Sequence, residues 1–350
     1  MTAKPSANLR APYLLMIGDV SRHDFAKTAL GLVKWCPDRV AGQLRFDDNP
    51  LDLGLPDMSL EQAVQAGIKS LVIGVAPVGG QLSERWQTVL VQAASLGLDI
   101  ISGLHLRLND IAGLTQAAEK TGAQLIEIRV PPTDIPIANG KKRSGLRVLM
   151  VGTDCAVGKK YTALALTNSF QQRDIKASFR ATGQTGIMIA GDGIPVDAVV
   201  SDFVAGAAEI ISPANDPDHW DIIEGQGSLF NPSYAGVSLG LLHGSQPDFI
   251  ILCHDATRSG IGSCPGLPLP SVKECIDLNI RCGQLTNPAI RCAGISVNTS
   301  ALEDKERETY LKQLSEQTGL VCVDSVINGC DAIADQLLAM ESSQRDEGHE

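Results

Sequence analysis

Short, unbroken apolar runs punctuate the chain, each followed by a loop and then by a segment of helix-forming character. Runs of roughly four to eight apolar residues without polar alternation mark strands buried on both faces. In the first part of the chain these are Tyr13–Ile17, ending at Gly18-Asp19, then Val40–Leu44, Ser70–Val75, Asp99–Ser102 and Gln124–Arg129. Between them the pattern predicts helices over Thr28–Cys36, Ser59–Gly67, Arg85–Leu96 and Leu114–Thr121. Ser59 is placed as an N-cap and Gly67 as a stop. Strands alternating with helices build a parallel, Rossmann-like sheet. No G-x-G-x-x-G motif occurs in this half. Gly79-Gly80, in the loop Ala76–Gly80, reads as a turn, and His105 and Arg107 read as a polar loop at a strand end.

Residues Val130–Arg143 combine prolines, a glycine and the basic run Lys141-Lys142-Arg143, with no periodicity. This composition marks a domain boundary carrying a solvated linker. The alternation then resumes. Strands are expected at Val148–Val151, Lys176–Arg180, His219–Glu224, from Pro247 toward His254, at Ala293–Asn298 and at Val321–Val326. Helices are expected after residue 158, up to Glu209, over Lys305–Thr318 and over Asp331–Met340, with a frayed tail from Ser342. The expected fold is α/β throughout. A Rossmann-like N-terminal domain (1–143) with its linker precedes a P-loop NTPase-like α/β domain (144–350).

The second domain opens on its most informative stretch, RVLMVGTDCAVGKKYTALAL. A buried strand runs into Gly152-Thr153-Asp154-Cys155-Ala156-Val157-Gly158, then Lys159, Lys160, Tyr161 and a helix. Strand, tight loop, glycine, lysine and helix form a phosphate cradle. Loop N–H groups and the helix N-terminus point at the anion, and lysine adds a full charge. The pattern departs from G-x-x-x-x-G-K-[ST]. Thr153 stands at the first glycine position, with Gly152 one residue earlier, and Lys160 replaces the hydroxyl that would hold Mg²⁺. Phosphoryl transfer leans on that hydroxyl, so the loop suits holding a diphosphate better than breaking one. Coenzyme A carries such a handle.

Further candidates sit at strand ends, where ligands bind in open α/β sheets. Ala181–Gly186, a second small-residue loop, carries Gln184 and Thr185 after Arg180. Asp197 and Asp202 flank a short apolar stretch, one of them expected to be structural. Glu224 ends a strand at Glu224-Gly225-Gln226-Gly227-Ser228, where it would serve as metal ligand, general base or amine orienter, or merely cap the turn. His254 is the best-placed imidazole, with hydrogen-bonded packing as the plain alternative. Arg258 suits bidentate binding of a carboxylate.

Composition narrows the class. At 350 residues, 44% hydrophobic and 20% charged, the chain is globular and long enough for two cores. A formal charge of −11 argues against nucleic acid or an anionic membrane as partner. There is no apolar run of membrane-span length and no signal-peptide pattern. Nine scattered cysteines without a C-x-x-C pair point to a reducing, cytoplasmic setting.

Two resemblances rest on these motifs. GTDCAVGKK followed by IIEGQGS is similar to the dethiobiotin synthetase type of P-loop protein, which carries the metal-binding threonine where Lys160 stands here. More closely, TDCAVGK, TGQTG, DAVVSDFVAGAAE, IIEGQGSL and PDFIILCH, in this order behind a Rossmann-like domain, resemble the two-domain P-loop family that includes the D-glutamate N-acetyltransferases. This resemblance implies acetyl transfer from acetyl-CoA to the amino group of D-glutamate, a step of D-amino acid catabolism. It also implies an N-acetyl-D-glutamate dehydrogenase acting next, and no metal. The implied chemistry assigns residues 152–161 to the coenzyme A phosphates, with Lys159 and Lys160 as countercharges. Glu224, Asp202 and His254, in that order, are the candidate bases. Arg180 and Arg258 are candidates for the carboxylates, and Gln184, Thr185 and Gln226 for polar donors. A homo-oligomer is expected. The alternatives are an ATP- and Mg²⁺-dependent ligase or small-molecule kinase, with Asp154 and Glu224 on the metal, and a non-catalytic nucleotide sensor.

Overall fold

The computed structural model describes residues 9–47, 49–75, 82–262, 264 and 266–347. The loop at residues 76–80, with the turn expected at Gly79-Gly80, lies outside the described residues. In chain order the first elements are β1 (Tyr13–Gly18), α1 (Lys27–Trp35), β2 (Val40–Arg45), α2 (Leu60–Gln65), β3 (Ser70–Ile73), α3 (Glu84–Ser95), β4 (Asp99–Ser102), α4 (Leu114–Thr121) and β5 (Leu125–Glu127). They continue with β6 (Leu146–Gly152), α5 (Lys159–Gln171), β7 (Ala177–Arg180), α6 (Gln184–Ala190), α7 (Val204–Ile211), β8 (Trp220–Ile223) and α8 (Ala235–Ser245). The last are β9 (Phe249–Asp255), α9 (Val272–Gly283), β10 (Arg291–Asn298), α10 (Asp304–Thr318), β11 (Cys322–Val323) and α11 (Asp331–Glu347). Among the described residues no helix is long and apolar enough to cross a membrane.

The chain forms two compact units, residues 1–132 with 183–198, and residues 133–182 with 199–350. The first is built on a parallel sheet of order β2-β1-β3-β4-β5. β1 is buried at every position, as its unbroken apolar run requires. α2 starts at Ser59 with a full capping box: the hydroxyl accepts from Gln62 N and the Gln62 side chain accepts from Ser59 N. Arg107 pairs with Glu127 at 2.8 Å and His105 is exposed, a polar loop as expected. Asp197 pairs with Arg129, so it is the structural member of its aspartate pair.

This unit also takes α6 from the far half of the chain, where the sequence showed only a small-residue loop. Gln184 packs on Gly103, where an added Cβ would sit 1.8 Å from Gln184 Oε1. The Thr185 hydroxyl meets that of Thr28 at 3.1 Å in a buried contact. Gly186 inside the segment masked its helical character.

The second unit is a parallel sheet of order β11-β10-β9-β6-β8-β7. β6 lies at its centre and is buried from Val148 to Gly152, because neighbours and helices cover it on both sides. Trp220 packs between Phe170 (5.1 Å, 60°) and Phe249 (5.9 Å, 25°), joining α5 to the sheet. α11 adds Ile333, Ala334 and Leu337 to this core. It runs on to Glu347, so the tail expected to fray from Ser342 is helical to that point; Ser342 and Ser343 hydroxyls bond Leu338 and Ala339 carbonyls at 3.0 Å.

Three more expectations change. β11 is shorter than Val321–Val326 because Asp324 Oδ1 accepts from Val326 N (2.9 Å) and Ile327 N (3.2 Å) and turns the chain. α8 and α9 were not read from sequence. In α8 the glycines that lower helix propensity make close packing: an added Cβ would meet Val204 Cγ1 at 2.7 Å from Gly240 and Ala205 O at 2.1 Å from Gly244. α9 carries a signal that was there to be used, the Ser271/Glu274 capping box.

Residues 133–143 are largely exposed, as expected of a linker, but they are pinned to the second unit by hydrogen bonds. Glu209 on α7 is 9% exposed and its carboxylate accepts from Asn139 N (3.0 Å), Gly140 N (2.9 Å) and Asn139 Nδ2 (2.8 Å). Arg143 donates to Ser212 O and Gly244 O at 2.8 Å, and burial, with the nearby Arg147 charge, pushes its guanidinium down to about 10. Lys142 bonds Asp248. The strap exists because a buried carboxylate must collect donors. Glu209→Ala leaves those donors unpaired and is expected to cost about 3 kcal/mol. Urea unfolding followed by tryptophan fluorescence reads this as a lowered midpoint, and an unchanged midpoint would mean the strap holds without its carboxylate.

Candidate phosphate-binding site

The order of the second sheet reverses direction at β6, and the loop after β6 sits at its carboxyl end, the topological position for a ligand. The loop spans Gly152 to Gly158 and opens α5 at Lys159. Gly152 is required by packing, since a Cβ there would lie 2.9 Å from both Lys159 Nζ and Val157 Cγ2. Val157 is buried beneath the loop and Ala156 is exposed at its tip in the left-handed region (φ 56), a conformation non-glycine residues rarely hold outside functional loops. Lys159 is buried, donates to the Asp154 carbonyl at 2.8 Å, and is pushed down in pKa by burial. A buried ammonium gains most from an incoming anion. Lys160 is half-buried with its Nζ 4.8 Å from the Tyr161 ring centre.

The Asp154 side chain is wholly buried and accepts from Asn231 Nδ2 at 2.9 Å, Arg258 Nη1 at 2.8 Å and Gly262 N at 2.8 Å. Burial alone would raise this carboxyl. The hydrogen bonds from Gly262, Asn231, Cys155 and Arg258 outweigh it and hold the pKa below its ordinary value, so the group is ionised at neutral pH. Arg258 also donates to the Cys155 carbonyl at 2.7 Å. Cys155 itself is half-buried, and burial raises its thiol.

Glu224 follows β8 and is 5% exposed. Its Oε2 accepts from Thr182 N at 2.9 Å, the Thr182 hydroxyl donates to the Glu224 carbonyl at 2.7 Å, and Gln226 Nε2 donates to that hydroxyl at 3.0 Å. The next residue, Gly225, packs so closely that a Cβ would sit 1.5 Å from Met150 O and 2.9 Å from Lys159 Cδ. Glu224 and Gln226 are therefore held beside the stem of the cradle lysine. His254 is the penultimate residue of β9, which pairs with β6, and has Nδ1 3.2 Å from the Thr153 hydroxyl and Nε2 2.9 Å from the Tyr310 hydroxyl. Burial lowers its pKa and keeps it neutral.

The structure thus gathers residues 152–161, Glu224, Gln226, His254 and Arg258 at one sheet edge. Arg180 instead pairs with Asp221 at 2.7 Å, inside a cluster with Asn215 and His219. Asp202 is exposed on the single turn Ser201–Phe203 and stands outside the hydrogen-bonded sets of Asp154 and Glu224. Gln184 and Thr185 belong to the other compact unit. Sequence reasoning missed Thr182, Asn231, Gly262 and Tyr310. Thr182 and Asn231 flank motifs that were read, but only the fold shows that they turn inward. Among the described residues no three or more His, Cys, Asp or Glu cluster as a metal site.

Residues 136–334 match the family described as "Domain of unknown function (DUF1611_C) P-loop domain", and residues 44–131 match its "DUF1611_N Rossmann-like domain". A curated D-glutamate N-acetyltransferase from Tritonibacter scottomollicae is 49% identical over 332 residues, covering 95% of this chain and 100% of its own length. One from Pseudoalteromonas sp. is 42% identical over 329 residues, covering 94% and 99%. The crystal structure of a DUF1611 family protein from Anabaena variabilis ATCC 29413 superposes with a TM-score of 0.87 at 30% identity, covering 94% of this chain and 100% of that one. The chain belongs to this DUF1611 family, the two-domain Rossmann-like and P-loop family that contains the D-glutamate N-acetyltransferases.

Proposed function

We propose that the chain transfers an acetyl group from acetyl-CoA to the amino group of D-glutamate, with the P-loop acting as a holder. The observation that carries this reading beyond the relatives' names is the state of the loop itself. Lysine replaces the hydroxyl after Lys159, and of the two acids considered as Mg²⁺ ligands Asp154 already accepts from Asn231, Arg258 and Gly262 and Glu224 from Thr182 N. Such a loop is suited to binding phosphates through Lys159, Lys160 and the α5 N-terminus, and it lacks the hydroxyl that ordinarily holds Mg²⁺ for phosphoryl transfer. These groups fit the phosphate-bearing end of coenzyme A.

Acetyl transfer needs the acceptor amine neutral. We assign Glu224 as the base, because Thr182 N fixes one carboxylate oxygen and Gly225 seats it against the cradle. The amine nitrogen bonds the thioester carbonyl carbon, the carbon–sulfur bond breaks, the amine proton passes to Glu224, and the departing thiolate takes it back. Gln226, fixed by Thr182, is the donor this reading places toward the thioester oxygen. The reaction is taken as a cytoplasmic step of D-amino acid catabolism in a homo-oligomer, its product consumed by an N-acetyl-D-glutamate dehydrogenase. The catabolic step and the dehydrogenase are what the resemblance implies, and the cytoplasmic setting is supported by the nine scattered cysteines.

Purified protein with acetyl-CoA in excess chelator is expected to release free thiol with D-glutamate and not with L-glutamate. Mg²⁺-dependent ATP hydrolysis without thiol release would return the ligase reading. Glu224→Gln keeps the shape and removes the base, so kcat is expected to fall by about 10²–10⁴. An unchanged kcat would take Glu224 out of the mechanism. Asp154→Ala strands the Arg258 charge and frees the segment it pins. Faster proteolysis between residues 256 and 262, at roughly 3 kcal/mol lower stability, is the expected reading. A variant cleaved at the wild-type rate would show that Asp154 is no latch.

A further inference from the structure

The mechanism above leaves one buried, titratable group unused. His254 is 7% exposed, and both ring nitrogens are engaged, Nδ1 with the Thr153 hydroxyl (3.2 Å) and Nε2 with the Tyr310 hydroxyl (2.9 Å). The Tyr310 ring lies nearly parallel to the imidazole, 15° off with centroids 6.3 Å apart. Thr153 is wholly buried at the base of the phosphate loop. Its N–H bonds the Cys253 carbonyl at 3.0 Å and its carbonyl accepts from the Ser228 hydroxyl at 3.1 Å. The threonine is therefore clamped at all three of its polar groups, and the imidazole is the clamp on its side chain. A neutral imidazole carries one donor and one acceptor nitrogen, and each hydroxyl can donate or accept, so either tautomer satisfies Thr153, His254 and Tyr310 together.

We infer that His254 is a positioning residue for the phosphate loop, acting through Thr153 and held in place by Tyr310. The loop has lost the glycine expected at position 153, and a side chain stands there instead. A threonine at the base of a phosphate cradle must be turned inward, or it would disturb the N–H groups that meet the anion. The hydrogen bond to His254 turns it inward. This gives the imidazole a task in ligand binding without contact to either substrate. The inference rests on the proposed function for the identity of the ligand, but not for the existence of the cradle.

The test measures dissociation constants for inorganic pyrophosphate and for coenzyme A, together with KM and kcat for acetyl-CoA. The proteins are wild type, Thr153→Val, His254→Ala, His254→Asn and Tyr310→Phe. Thr153→Val and His254→Ala are expected to weaken pyrophosphate and coenzyme A binding about tenfold and to raise KM alike, with kcat within about threefold. His254→Asn, whose amide reaches the Nδ1 position, is expected to recover most of the loss. Tyr310→Phe keeps the ring and is expected to weaken binding about threefold, so the inference stays testable if His254→Ala does not fold. A fall in kcat at unchanged KM in His254→Ala would make the imidazole a base instead. Equal pyrophosphate affinity in all five proteins, or none in the wild type, would overturn the inference. Wild type that binds pyrophosphate and loses it in the variants, yet ignores coenzyme A, would sustain the inference while removing the proposed function.

Discussion

A buried carboxylate cannot be left alone, and the second unit is arranged around that constraint at Asp154. With its side chain at 0% exposure, the ion must be met by donors, because an uncompensated buried charge costs several kcal/mol. The donors come from two different loops, Asn231 after β8 and Arg258 with Gly262 after β9. The phosphate loop, which starts at β6, is thereby tied to both neighbours on the sheet. A cradle must present its N–H groups to an anion without rearranging, and this network supplies the rigidity.

The same reasoning changes the meaning of the arginines. From sequence, Arg180 and Arg258 looked like receptors for a substrate carboxylate, since a guanidinium at a strand end suits that geometry. In the folded chain Arg258 answers Asp154 and Arg180 answers Asp221. Each internal acid had to be paired, and in both cases the arginine is the cation that supplies the charge. The lysines behave differently. Lys159 is buried with a depressed pKa and a carbonyl as its hydrogen-bond partner, so its charge is best stabilised by an anion from outside. The electrostatic demand of the site thus falls on the loop, in keeping with a phosphate handle.

Much of this was legible in the chain. The uninterrupted runs Tyr13–Ile17 and Val148–Val151 marked buried central strands because a strand covered on both faces has no polar side to show. The cradle, Glu224 and His254 were found because their positions follow strand ends. Elements read wrongly share a cause: local composition pointed one way and packing decided the other. The glycines of α8, a helix left unread in the sequence, form the surface on which α7 approaches. The proline-rich stretch before β6 read as linker, yet Glu209, seventy residues on, gathers its N–H groups. His254 was ranked by its place at a strand end, and only the contacts to Thr153 and Tyr310 show that both nitrogens are already committed. Long-range pairings of this kind leave no periodic trace.

The chain leaves the second unit at Thr182 and enters the first at Gly183. Thr182 bonds the Glu224 carboxylate and carbonyl within the second unit, and the next residue, Gly183, already caps α6 in the first. Residues 183–198 then complete the first unit before the chain returns at Val199. A cut after residue 143 would therefore leave the first sheet without α6, exposing the buried Thr28 hydroxyl that Thr185 meets and the face of Gly103 that Gln184 covers. The residue that orients the proposed base is covalently adjacent to the helix that finishes the Rossmann-like unit. The chain thus crosses from the second unit to the first between Thr182 and Gly183, directly after the residue that bonds Glu224.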